Sequence, residues 1–254
     1  MAAEQSREIT TDRPYKINTR TGHLPDVAGV SHPLIGGSIR LIDRLRQHQL
    51  TVDEFLAAVG SLHREVGVLD SLATWVERAL TEQQNQILYR TTAAETRETI
   101  QLYYLEPYEV HPPHCHHNII STQVVLHGRL RVREYDRIAR FRADTILLRM
   151  RRDAWLSPGD SLRTSEVEAN GHWFAAGAAP TVVLNFNVYG YQAWTFDAKD
   201  QPLQRRLMDP TLAASPDGLI IARELGLDEG YKKFANRSLD SFAIPRPPAD
   251  RSHG

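Results

Sequence analysis

The feature that most limits this chain is a change of period. Up to about Thr81 apolar residues recur at helical spacing, and after Gln83 they recur every second residue. The segments "NQILYRTT", "ETIQLYYLEPYEVH", "STQVVLHGRLRVREYDR", "HWFAAG" and "TVVLNFNVYGYQAWTF" are rich in β-branched and aromatic residues. They are punctuated by "EPYE", "SPGD", "ANG" and "AAGAAP". Parallel strands need long crossovers, usually helical, and no helical stretch lies between these segments. The pattern therefore predicts a mainly β protein, an antiparallel sandwich or barrel.

The front of the chain reads differently. Residues 1–32 are polar and rich in Thr, Arg, Pro and Gly, and are expected to form an arm. Residues 33–82 predict three short helices packed on the barrel. Leu34, Ile35, Ile39, Ile42 and Leu45 form one stripe, and Phe55, Val59 and Leu62 a second. Leu69, Leu72, Trp75, Val76 and Leu80 form the third. Thr51 and Glu54 have the spacing of a capping box. The strands fill 83–199. Residues 200–254 are read as a C-terminal extension, with short helices in "DGLIIARELGL" and "DEGYKKFANR" and a mobile tail, "IPRPPADRSHG".

Composition narrows the function. The chain has 30 Lys and Arg against 31 Asp and Glu, a formal charge of -1. The Arg-rich stretches "RLRVREYDRIARFR" and "RMRR" are interleaved with Glu134, Asp136, Asp144 and Asp153. A nucleic-acid partner is not expected. No apolar run approaches the roughly 18 residues of a membrane helix, and the start has no secretory pattern, so the expected compartment is the cytoplasm. Cys115 is the single cysteine, which rules out an intrachain disulfide.

Chemistry concentrates in "HPPHCHHNIISTQVVLHG", residues 111–128, which holds five of the eleven histidines. His114 and His116 are two apart, so a strand shows both to one face and turns Cys115 and His117 away. A third ligand must come from another strand, and His172, opening "HWFAAG", is the candidate. Three neutral imidazoles suit iron, zinc, copper or nickel and leave coordination positions open, as catalytic sites do. The bland alternatives are a solvent-facing strand end for the pair and a buried structural histidine for His172. In "TVVLNFNVY", Val182, Leu184, Phe186 and Val188 make one apolar face. Asn185, Asn187 and Tyr189 lie on the other, which faces solvent or a polar cavity.

The run resembles the first motif of the cupin superfamily: His-x-His, four residues, Glu, six residues, Gly. Here His114 and His116 are followed at that spacing by Ser121 in the Glu position and by Gly128. Loss of the Glu with three histidines kept resembles the cysteine dioxygenase and thiol dioxygenase family. The similarity also takes in "SIRLIDRLRQHQLTVDEF" and "APTVVLNFNVY". It implies Fe(II) on His114, His116 and His172, O2 as co-substrate, and oxidation of a small thiol to a sulfinate. It also implies Tyr189 beside the metal and Arg90 as the partner of a substrate carboxylate. The sequence is silent on oligomeric state, although cupin sheets often pair, which keeps a homodimer among the readings. Two positions depart from the family. Ser121 stands where a cross-linking Cys occurs, and Asn187 where a His relays hydrogen bonds. Other readings of the same residues are a cupin oxygenase acting on carbon, a non-redox Zn or Ni lyase or isomerase, and a binding protein without catalysis.

Overall fold

A computed structural model describes residues 21–23, 32–91, 97–142, 144–191, 205–235 and 237–247. Most of the expected N-terminal arm and the last residues of the tail lie outside them.

Among the described residues four helices precede the main run of strands: α1 (Pro33–Arg46), α2 (Val52–Glu65), α3 (Val68–Ser71) and α4 (Ala73–Glu82). Proline stands in the first turn of α1, where its missing N–H costs nothing, and the His32 side chain accepts from Leu34 N. The capping box of α2 forms as the spacing predicts. Glu54 N donates to Thr51 Oγ1 at 3.2 Å and Thr51 N donates to Glu54 Oε2 at 2.8 Å. The third expected helix is broken. Gly67, with φ of 58°, begins a single turn, α3, and Leu72 separates it from α4.

The described residues form twelve strands, the first of which lies in the expected arm ahead of the helices. They are β1 (Thr21–His23), β2 (Asn85–Arg90), β3 (Arg97–Leu105), β4 (Val110–His116), β5 (Ile119–His127) and β6 (Leu130–Arg142). Then come β7 (Thr145–Leu156), β8 (Ser161–Thr164), β9 (Gly171–Ala176), β10 (Thr181–Tyr189), β11 (Arg205–Ala214) and β12 (Ile220–Leu225). The first sheet runs β1-β2-β3-β10-β5-β8, and the second, β11-β12-β7-β6-β9-β4, closes on itself. All pairings are antiparallel except β1 with β2. The protein is thus mainly β, two sheets packed as a sandwich. Gly128 turns the chain between β5 and β6 with φ of 77°, where a Cβ would run into the Pro180 carbonyl oxygen.

Alternation gives the first sheet two different buried faces. Its outer face, with Ile100, Leu102, Ile120, Val124, Val182, Leu184, Phe186 and Val188, packs under the helices against Leu34, Ile35, Ile42, Phe55, Val59 and Leu72. One end of its inner face is apolar. There Leu105, Val125, Leu162 and Val183 meet Leu130, Val132, Leu156 and Phe174 of the second sheet.

The C-terminal stretch departs from expectation. "DGLIIARELGL", read as a helix, supplies β12. Ile220 and Ala222 are buried with Leu148 and Cys115 inside the second sheet, while β11 and β7 supply hydrogen-bonding partners on both sides. The segment set apart at 200 therefore contributes two strands to the sandwich. Its helix α5 (Leu227–Phe234) and a 3-10 turn (Leu239–Ser241) cover Trp173, whose ring lies 5.0 Å from those of both Phe234 and Phe242. Among the described residues no helix is long and apolar enough to cross a membrane.

Candidate metal centre

Two consecutive prolines shape β4. Neither Pro112 nor Pro113 can donate a ladder hydrogen bond, and the register with β9 shifts between His111 and His114. His111 opposes Phe174 across the shift and stacks on it at 4.7 Å. After the shift His114 opposes His172, while Cys115 opposes Gly171 on the other face. His116 returns to the face of His114. The three rings gather at centroid separations of 5.2 Å (His114–His116), 4.3 Å (His114–His172) and 4.9 Å (His116–His172). One ligand atom from each lies within 4.8 Å of the others.

Burial sets their protonation. His114, His116 and His172 are 1%, 4% and 1% exposed. Desolvation pushes His114 and His116 well below the usual histidine range and His172 down to about 3, and Arg205 acts in the same direction on all three. The rings are neutral at physiological pH, the form that ligates metal. His114 Nδ1 donates to Pro112 O at 2.8 Å, which leaves the Nε2 lone pair pointing away from the backbone. His172 Nδ1 lies 3.4 Å from Thr164 Oγ1. The Nε2 atoms of all three are buried without a hydrogen-bond partner. Such atoms are costly unless something occupies them, and a divalent first-row metal fits this donor set.

The facing wall belongs to the first sheet. Across it, in one row, lie Arg90, Thr99, Asn187, Ser121 and Thr164, and in the next Gln101, Asn185, Gln123 and Leu162. Thr99, Gln101, Ser121, Gln123, Thr164, Asn185 and Asn187 are all buried, so this polar surface is interior. Ser121, 1% exposed, brings no carboxylate to the centre. Tyr189 is half-buried two pairs beyond Asn187 and so on the same face, and Arg90 is exposed at the end of its row. Both therefore stand on the side of the sheet that meets the histidines.

The other histidines of the run go elsewhere. His127 is exposed at the end of β5. His117 groups with Cys115 and Glu224. That second group is poorly suited to a cation. Arg140 and Arg206 donate to the two Glu224 carboxylate oxygens at 2.8 Å and 2.9 Å. Burial raises the Cys115 thiol to about 12 and lowers His117 to about 4.

Several residues at the centre escape a reading of spacing alone. Arg205 opens β11 opposite His116, in a stretch that looks irregular in sequence. Glu134 opposes His172 from β6, and its buried carboxylate pairs with the half-exposed Arg152. Thr164 and Gln123 look like ordinary strand residues, and only cross-strand register brings them here.

No family model and no curated protein matches the chain. Among solved structures it resembles KdgF from Halomonas sp., at 18% identity over 41% of this chain and 76% of that one, with a TM-score of 0.29. A cupin superfamily protein from Desulfitobacterium hafniense DCB-2 aligns at 14% identity over 42% and 78%, with a TM-score of 0.29. An 11S globulin from Wrightia tinctoria aligns at 14% identity and a TM-score of 0.29, over 35% of this chain and 20% of the globulin.

Proposed function

We propose that the protein is a metal-dependent oxygenase of the cupin type, taking a small thiol and O2 and using Fe(II) held by His114, His116 and His172. The observation that carries this reading is the set of three buried, neutral imidazoles with open Nε2 atoms and no carboxylate in the Ser121 position. Three neutral ligands leave the metal its full charge and leave positions for an anionic thiolate and O2. Iron bound there supplies the redox chemistry for adding both atoms of O2 to the thiol sulfur, giving a sulfinate. Zn or Ni would fit the same donors and would serve only as a Lewis acid.

The chain's own groups divide the remaining work. Pro112 O holds the proton on His114 Nδ1 and so fixes the tautomer that ligates. Burial of the rings excludes water from the reacting atoms. Burial, with the Arg205 charge acting the same way, keeps the ligands deprotonated, and that charge favours an anionic substrate. Arg90, at the rim, pairs with a substrate carboxylate in bidentate fashion. The Tyr189 hydroxyl donates to the reacting group, and Asn187 takes the neighbouring hydrogen-bonding place.

The test is O2 uptake by iron-loaded protein with a panel of small thiols, with mass spectrometry of the product. The expected result is one O2 consumed per thiol, with both oxygens on sulfur. Uptake with oxygen on carbon, or none with any thiol at full iron occupancy, overturns the proposal. A site that takes up only Zn or Ni does so as well.

A further inference from the structure

In the row next to that of Ser121 and Thr164, Gln123 Nε2 donates to Asn185 Oδ1 at 3.1 Å, linking paired residues of β5 and β10. The two side chains are 4% and 1% exposed. Gln123 Oε1 and Asn185 Nδ2 have no hydrogen-bond partner. The pair therefore shows the interior one open acceptor beside one open donor. Turning both amides over leaves the same two valences with the residues exchanged. Buried amide atoms of this kind are expensive to leave unmade.

Their position ties them to the histidines. Ser121, opposite Thr164, lies two residues along β5 from Gln123, about 7 Å at strand rise. Thr164 Oγ1 in turn lies 3.4 Å from His172 Nδ1. The amide row therefore adjoins the row that touches the histidines, the place for a second functional group of a substrate held there.

We propose that the Gln123–Asn185 pair recognises this second group, and that the group is uncharged and both donates and accepts, as a primary carboxamide or a hydroxyl does. The inference rests on the thiol reading and adds the substrate class. A carboxylate has no hydrogen for Gln123 Oε1 and sets negative charge against it, and an ammonium has no lone pair for Asn185 Nδ2. An alkyl group leaves both valences open. Any carboxylate on the same substrate is left to Arg90, at the exposed end of the neighbouring row.

The experiment uses full-length protein loaded with Co(II), whose thiolate charge-transfer band reports thiol binding without turnover. Mercaptoacetamide, mercaptoethanol, mercaptoacetate, cysteamine and propanethiol are titrated in turn. Mercaptoacetamide and mercaptoethanol are expected to bind about tenfold or more tightly than propanethiol. Gln123→Leu and Asn185→Leu each remove that preference and leave propanethiol binding intact. Gln123→Glu keeps the shape and shifts preference toward cysteamine. Equal binding of all five thiols by wild type, or a preference that survives both Leu variants, overturns the inference and leaves the thiol reading standing. Absence of a thiolate band with every thiol sinks the thiol reading itself. Thermal melts of each Co(II)-loaded variant identify any that fails to fold, and the remaining variants then decide.

Discussion

His63 offers a sharp test of how tightly the helical layer is sealed. It lies on α2, 7% exposed, and its Nε2 has no hydrogen-bond partner. Burial lowers its pKa to about 4, and Arg163 and Arg64 push the same way. In the unfolded chain the ring titrates near its usual value of about 6.5. Between these values the unfolded state binds a proton that the folded state refuses, so stability is complete above the upper value and lost as pH falls toward the lower one. Each pH unit in that window costs about 1.4 kcal/mol, so the loss from this one ring reaches about 3 kcal/mol near pH 4. Other buried histidines titrate in the same direction, so the wild-type profile alone does not isolate it. The assay is urea unfolding of metal-free wild type and His63→Gln at steps from neutral pH to about pH 4. The variant is expected to gain on wild type by about 3 kcal/mol across that range. A difference independent of pH, or one of opposite sign, refutes the argument that the ring is buried uncharged.

Three further outcomes are expected. His114→Ala, His116→Ala and His172→Ala each abolish stoichiometric metal binding, measured by elemental analysis, while far-ultraviolet circular dichroism shows the sheets retained. Ser121→Glu places a carboxylate at a buried position facing the triad. The metal-free variant should be less stable than wild type by several kcal/mol, and metal should raise its melting temperature by more than it raises that of wild type. Cys115, 1% exposed with its thiol raised to about 12, should resist iodoacetamide in the native protein and react fully in urea.

What could be read in the sequence was whatever depends on local period. Strand alternation alone puts His114 and His116 on one face and Cys115 on the other, and the structure keeps that division. The same rule separates Phe186 and Val188 from Asn185 and Asn187. It left open whether the polar face met solvent or an interior, and both asparagines are buried. What could not be read depends on register between distant strands. Nothing local to Arg205 announces that it will pair with His116, or that Thr164 will lie against His172. "LIIAREL" shows how local pattern misleads. Its apolar residues fit a helix as well as a strand, and pairing with β7 and β11 decides the outcome.

The two-faced first sheet has a consequence for folding fidelity. Its inner strands are buried on both sides, with oil under the helices and amides toward the histidines. A slip of one residue in β10 would drive Asn185 and Asn187 into the helical core and turn Phe186 and Val188 onto the chemistry. Each displaced amide would lie in hydrocarbon without a partner, at about 1–3 kcal/mol apiece. The amides that equip the interior for a ligand thus also act as an error check, since the aligned chain alone keeps them out of the core.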